Sequence, residues 1–238
     1  MARWRAVVFD LDDTLYPERD FVLSGFRAVA AWVEREFGIP ANATYTQLSR
    51  LFEGGVRGDT FDRWLSGSPL SPSLAPRLVE VYRSHTPVIR PFPEVHALLA
   101  ELRGRYRLGL LSDGVAAVQQ LKVESLGLRA SFDAIVLSDA LAEGRTAWKP
   151  SPQPFLVLAA ELGVAPTAAV YVADNPEKDF LGARRAGFGT IWCRRPGTEY
   201  SSLTPRSAEH AADDVLASLD RLAEVLDSGR AMNAGWVG

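Results

Sequence analysis

Asp10 and Asp12 stand two residues apart directly after the apolar run Ala6-Val7-Val8-Phe9, with Asp13 and Thr14 following. On an extended segment, side chains at i and i+2 point the same way. Two carboxylates so placed suit a reaction in which one attacks as a nucleophile and the other carries a proton. Other apolar runs end on groups of the same kind. Ser112, Asp113 and Gly114 follow 107–111, and Asp174 follows 169–173 with Asp179 five residues on. Lys149 stands just before a helical pattern that opens at Pro152.

Taken singly, each of these reads as a helix cap or turn residue, because Asp and Ser bond nearby backbone N–H groups. Taken together they place three or more carboxylates, a hydroxyl and a lysine on one edge of one sheet. Carboxylates converging there repel one another unless a cation lies between them. All-oxygen ligation suits a hard ion such as Mg²⁺. Ser112 and the backbone N–H groups after it open a helix, a place suited to an anion. Lys149 can offset charge on transferred oxygens, so the set fits phosphoryl transfer.

The elements that must position these groups follow from periodicity. Short, fully apolar runs at 5–9, 107–111, 134–137, 169–173 and 189–193 read as strands buried on both faces. Helical patterns lie between them. In 115–126 the apolar positions are Val115, Val118, Leu121 and Leu126, and in 152–162 they include Phe155, Leu156, Leu158 and Leu162. A third helix covers 179–186, and a fourth covers 213–227 with apolar positions Val215, Leu216, Leu219, Leu222, Val225 and Leu226. This alternation predicts an α/β fold with a doubly wound, Rossmann-like parallel sheet. Ligands in such sheets bind outside the carboxyl ends of the strands. One stretch lacks strands: residues 17–89 read as a helical insertion, so the core comprises 1–16 and 90–238. Within it Phe26, Val29, Ala30, Val33 and Phe37 form an amphipathic stripe, and further helices are predicted near 45–53, 59–66 and 74–85. Trp32 reads as packing. Arg57, Arg63 and Trp64 are candidates for substrate contact, with surface solvation an equal explanation for the arginines. The stretch 228–238 carries little pattern.

Composition narrows the class. The 238 residues are 47% hydrophobic and 23% charged, as in an ordinary globular chain. A net charge of −3 advertises no nucleic-acid or anionic-membrane surface. All but three of the 26 basic residues are arginine, which makes Lys122, Lys149 and Lys178 less incidental. The one cysteine, Cys193, excludes an intrachain disulfide framework and reads as a buried apolar residue. No run approaches the length of a membrane span, and the short apolar stretch before Asp10 is not expected to be a signal peptide; a cytoplasmic setting is the expectation. His85, His96 and His210 lack metal-ligand spacing, and no G-x-S-x-G elbow is present.

Four segments resemble the motifs of the haloacid dehalogenase-like (HAD) hydrolases. V-V-F-D-L-D-D-T-L at 7–15 resembles the first motif, D-x-D-x-T, and L-L-S-D-G at 110–114 the second. K-P-S-P-Q-P-F at 149–155 resembles the third, and V-Y-V-A-D-N-P-E-K-D at 170–179 the fourth. The four stand in the family's order. The resemblance implies a Mg²⁺-dependent phosphatase for a small phosphorylated metabolite, with a helical cap inserted after the first strand and sheet order 5-4-1-2-3. Asp10 is then the nucleophile that becomes an aspartyl-phosphate, and Asp12 the general acid and base. The metal sits on the Asp10 carboxylate, the Asp12 carbonyl and Asp174, with Thr14 and Asp179 in support. Ser112 and the amides of Asp113 and Gly114 hold the phosphoryl oxygens, and Lys149 bridges nucleophile and phosphate. The family often has Asn where Asp113 stands, so the Asp113 side chain is expected to face away, toward the cap or the helix start. A sugar phosphomutase, a haloacid dehalogenase and a non-catalytic phosphate-binding regulatory protein are the alternatives on this fold. Dehalogenation needs neither Mg²⁺ nor Asp12.

Overall fold

The computed structural model describes residues 3–228; all but the first residue of the patternless stretch 228–238 lie outside the described residues. β1 (Ala6–Phe9) is followed by α1 (Glu18–Phe37), α2 (Ala41–Glu53), α3 (Thr60–Ser66) and α4 (Ala75–Ser84). Then come α5 (Val95–Arg103), β2 (Arg107–Ser112), α6 (Ala116–Ser125), β3 (Ala134–Leu137) and α7 (Gln153–Glu161). The chain continues through β4 (Ala169–Ala173), α8 (Asp179–Ala186), β5 (Gly189–Cys193), β6 (Asp214–Leu216) and α9 (Leu222–Asp227). It divides into two compact units, one made of Met1–Pro17 with Arg90–Gly238 and the other of Glu18–Ile89.

The first unit is a parallel α/β sheet with the order β3-β2-β1-β4-β5-β6. Every residue of β1, β4 and β5 is buried, which requires cover on both faces and explains why none of the three carries a charged residue. Ala6, Val8, Tyr171 and Trp192 pack on one face with Phe155 and Leu158 of α7 and Phe180 and Ala183 of α8. Cys193 closes β5, buried, and burial pushes its thiol up to about 12, in keeping with an inert packing role.

The first five strands stand in the expected order; a sixth extends the sheet where a helix was predicted. Within 213–227, residues 214–216 pair with Ile191, Trp192 and Cys193. Asp213 fixes this register, accepting bonds from Thr190 N (2.9 Å) and Thr190 Oγ1 (2.9 Å). Val215 is half exposed on the edge strand, while Leu219, Leu222 and Leu226 are buried. The helical spacing was therefore real only from Leu219 on. A three-residue strand is too short to show its own period.

α6 also has a different phase from the one its aliphatic residues suggested. Val115 is exposed and Val118 and Leu121 are half-buried, whereas Gln119, Lys122, Val123 and Leu126 face inward. Leu156 of α7 is likewise exposed. α5 carries Val95, Leu98, Leu99 and Leu102 on its buried side, an amphipathic helix that the sequence reading passed over.

The Glu18–Ile89 unit has its own core of Leu23, Phe26, Val29, Val33, Leu48, Phe61, Trp64, Leu65 and Leu78. Phe37, assigned to the α1 stripe, lies beyond it at the helix end and is exposed, edge-on to Trp32 at 5.6 Å. Ser24 Oγ accepts from Val88 N (2.9 Å) and lies 3.1 Å from His85 Nε2, tying the end of the unit to α1. α1 and α4 come close at Gly25, where a Cβ would meet the Tyr82 ring at 2.4 Å. Tyr82 is packed against Phe21, Phe26 and Phe61 and has little room to retreat. Gly25→Ala is expected to destabilise the chain by about 1–3 kcal/mol through overpacking. Denaturant unfolding followed by tryptophan fluorescence reads this; wild-type stability would mean the ring moves freely.

Candidate active site

The parallel register brings the carboxyl ends of β1 and β4 side by side. Phe9 pairs with Val172, and Asp10 N donates to Val172 O at 2.9 Å. Asp10 therefore leaves β1 beside Asp174, the first residue after β4. Asp179, the first residue of α8, is turned back by its own loop, because its Oδ2 accepts from Asn175 N at 3.0 Å. Carboxylate oxygens of Asp10, Asp174 and Asp179 all lie within 4.8 Å of one another, and all three residues are buried. Asp179 is thus a full member of the cluster.

Lys149 meets this cluster from the loop before α7. Its Nζ lies 2.5 Å from Asp10 Oδ1, 2.7 Å from Asp179 Oδ1 and 2.8 Å from the Tyr171 hydroxyl. Burial alone would lower the Lys149 pKa, but the carboxylates of Asp10 and Asp179 hold it well above the usual lysine value. The ammonium stays charged. Burial raises Asp10, partly opposed by Lys149, to about 6. Burial, then the charges of Asp10 and Asp179, push Asp174 well above the carboxylate range. Lys149, with Lys178 farther off, does not offset the burial and mutual repulsion of these carboxylates. Asp174 Oδ1 accepts from Thr14 Oγ1 at 3.3 Å, while its Oδ2 is buried with no hydrogen-bond partner. A buried, orphaned carboxylate oxygen among other carboxylates is the donor set a hard cation fits.

Asp12 stands apart from that cluster. Its side chain turns to α6, where Oδ1 accepts from Lys122 Nζ at 2.7 Å and from the Tyr16 hydroxyl, and Oδ2 accepts from Gln119 Nε2 at 2.8 Å. Burial would raise its pKa, but the Lys122 charge and these bonds hold it below the usual value. Asp10 and Asp12 therefore share a spacing and differ in environment. The turn between them and the helix is tight: Asp13 adopts φ 52, a left-handed conformation that Asp tolerates better than most residues.

Ser112 ends β2, buried, and Gln119 Nε2 donates to its Oγ at 2.6 Å. Gly114 follows at φ 120. The first N–H of α6, at Ala116, is bound by Asp139 Oδ2 at 3.2 Å, so the helix end itself is capped and the amides of Asp113 and Gly114 lie ahead of that cap. Asp113 turns to the β3 side and not to the start of α6. It is buried, its Oδ1 accepting from Ser138 Oγ (2.5 Å) and Lys149 N (3.3 Å), with Lys178 Nζ 3.9 Å from Oδ2. Donors on the β3 side satisfy the carboxylate there and tie the Lys149 backbone to the end of β2.

Sequence reasoning missed Tyr16, Gln119, Lys122 and Tyr171. The scarcity of lysine was one signal for Lys122, and a lone tyrosine in the aliphatic β4 was one for Tyr171. In the helical unit, the candidates have internal partners. Arg57 donates to Phe52 O (2.7 Å) and Val56 O (3.0 Å), Arg63 pairs with Asp59 at 2.7 Å, and Trp64 Nε1 donates to Gln47 Oε1 at 2.8 Å.

The sequence model of the haloacid dehalogenase-like hydrolase family matches residues 7–193. A glyceraldehyde 3-phosphate phosphatase of Methanopyrus kandleri is 32% identical over 232 residues, covering 94% of this chain and 96% of that one. A phosphoserine phosphatase of Thermus thermophilus is 34% identical over 161 residues, 67% of this chain and 61% of that one. Among solved structures, a 2-haloacid dehalogenase from Pseudomonas syringae superposes with a TM-score of 0.65 at 25% identity, covering 95% of this chain and all of that one. The chain belongs to the haloacid dehalogenase-like hydrolase family, and it is an enzyme of the hydrolytic kind.

The position of Lys149 depends on a close approach. At Gly182 on α8 a Cβ would sit 2.5 Å from Pro150 O and 2.9 Å from Ser151 O. Those are backbone atoms, so the lysine loop would have to shift. Gly182→Ala is expected to cost about 1–3 kcal/mol of stability, and Gly182→Val more. Equal melting temperatures for all three proteins would show that the loop yields without strain.

Proposed function

We propose that the protein is a Mg²⁺-dependent phosphatase that hydrolyses a small phosphomonoester through an aspartyl-phosphate on Asp10. The observation that carries this reading is the buried cluster of Asp10, Asp174 and Asp179 with Lys149 against it and one carboxylate oxygen unpartnered. The names of the phosphatase relatives support it, since glyceraldehyde 3-phosphate and phosphoserine are both small monoesters. We take a small phosphorylated metabolite as the substrate and the helical unit Glu18–Ile89 as the cap. No helix among the described residues is long and apolar enough to cross a membrane; a cytoplasmic setting is part of the proposal.

The residues divide the work. Asp10 attacks phosphorus, the bond to the leaving alkoxide breaks, and Asp12 delivers a proton to that oxygen. Water then adds to the phosphorus of the aspartyl-phosphate, Asp12 takes its proton, and inorganic phosphate departs from a regenerated Asp10 carboxylate. Lys149, held charged, pulls on the transferred oxygens, and Ser112 with the amides of Asp113 and Gly114 orients them. Its lowered pKa leaves Asp12 ionised, with its oxygens open to a proton. The negative charge of a bound phosphate raises that affinity and readies it as acid. Mg²⁺, held by the carboxylates of Asp10 and Asp174 and the Asp12 carbonyl, with Asp179 beside them, would neutralise charge on nucleophile and phosphate. The dehalogenase reading leaves the three-carboxylate cluster and the engaged Asp12 without a task.

Purified protein with p-nitrophenyl phosphate is expected to release p-nitrophenolate with Mg²⁺ and to stop with EDTA. Asp10→Asn should abolish turnover and phosphoenzyme formation; intact turnover in that variant sinks the covalent mechanism. A panel including glyceraldehyde 3-phosphate and phosphoserine then ranks substrates by kcat/KM. Metal binding has a pH signature. Below about 6 the Asp10 carboxyl of the metal-free protein holds a proton, which a cation must displace. Mg²⁺ affinity by titration calorimetry should fall as pH drops from 7 to 5, and a flat profile would exclude Asp10 as a ligand.

A further inference from the structure

We propose that Gln119 and Lys122 of α6 are positioning residues for the reaction: they fix the Asp12 carboxylate and register it to Ser112. The inference rests on the phosphatase reading and assigns work to two side chains outside the residues that reading needs.

Three observations carry it. Gln119 and Lys122 are one turn apart, on one face of a helix, and only 2% and 3% exposed. Burying an amide and an ammonium is costly, and well-packed apolar residues at such positions are often neutral or stabilising. Packing alone therefore does not account for them. Their polar ends converge on the proposed acid–base group. Lys122 Nζ reaches Asp12 Oδ1 at 2.7 Å, and the single Gln119 amide nitrogen reaches both Asp12 Oδ2 at 2.8 Å and Ser112 Oγ at 2.6 Å. The Tyr16 hydroxyl adds a bond to Oδ1. Finally, the backbone makes room for the amide: at Gly114, φ 120, a Cβ would meet Gln119 Cδ at 3.1 Å.

A carboxylate offers about four acceptor positions. Two donors lie on Oδ1 and one on Oδ2, so Oδ2 is the atom that exchanges the proton. It gives the proton to the leaving alkoxide as the P–O bond breaks. It takes one from water as the new P–O bond forms. Gln119 sets the distance between that atom and the serine proposed to hold the phosphoryl group. Lys122 and Tyr16 stop the carboxylate from rotating away.

The test is a double-mutant cycle on Mg²⁺-loaded full-length protein with p-nitrophenyl phosphate. Lys122→Met and Gln119→Leu keep bulk and remove the bonds. Each should lower kcat by about 10-fold or more, within the range of general acid–base catalysis, while KM changes by less than about threefold. In an Asp12→Asn background, each should change residual kcat by less than about twofold. Equal losses in both backgrounds, or a change confined to KM, would overturn the inference. Melting temperatures separate misfolding from misplacement, and if Lys122→Met fails to fold, Gln119→Leu carries the cycle alone. The two readings fail differently. Turnover lost in Asp10→Asn with additive α6 effects overturns only the positioning role. No wild-type turnover of p-nitrophenyl phosphate overturns the phosphatase reading and this inference with it.

Discussion

Three carboxylates held within 4.8 Å of one another in a buried pocket are the constraint around which the rest of the core is arranged. Their mutual repulsion in a low-dielectric site is unfavourable, so the fold must hold them there and partly neutralise them. The holding comes from the register of β1 against β4 and from the short loop that returns Asp179 to Asn175. The neutralising comes from Lys149, whose ammonium is shared by Asp10, Asp179 and the Tyr171 hydroxyl. Lys149 in turn is held by a backbone bond to Asp113 and by α8 pressing on its loop at Gly182. The residual excess of negative charge is what makes a divalent cation a natural partner of the site.

The groups on strand ends were legible because the physics that places them is local. An apolar run of four or five residues declares a strand, and the polar residue that stops it falls at the sheet edge. Asp10, Ser112 and Asp174 were found that way. What escaped depends on distant partners or on the phase of a helix. α6 looked amphipathic through Val115, Val118 and Leu121, yet the buried side carries Gln119 and Lys122. Hydrophobic spacing cannot announce a helix that turns polar groups inward, because the compensating carboxylate lies more than 100 residues away in sequence. β6 escaped for a related reason: its pairing with β5 is set by Asp213 and Thr190, and a three-residue strand has no period of its own.

Asp113 shows how the same side chain can look unsuitable in sequence and fit in three dimensions. An extra carboxylate beside a segment proposed to bind phosphate would repel that ligand if it pointed inward. Ser138 Oγ and Lys149 N fill one of its oxygens, and Lys178 faces the other. It becomes the link between the end of β2 and the lysine loop, and its negative charge is taken up by the scaffold.

The deepest contrast in the site is between two aspartates only two residues apart. Asp10 sits among other carboxylates, and burial lifts its pKa to about 6 in spite of Lys149. Asp12 sits among donors, and Lys122, Tyr16 and Gln119 hold its pKa down in spite of burial. Environments that push paired carboxyl groups apart are how one segment supplies two roles. On the proposed reading the assignment follows from charge. Asp10 holds its proton more tightly than an ordinary carboxyl, and a cation beside it would complete its ionisation as a nucleophile. Asp12 is ionised without one, and the arriving phosphate is the charge that makes it take up a proton. Substrate and metal thus act on different aspartates in opposite directions, and the i, i+2 spacing matters less than the fact that one side chain turns to β4 and the other to α6.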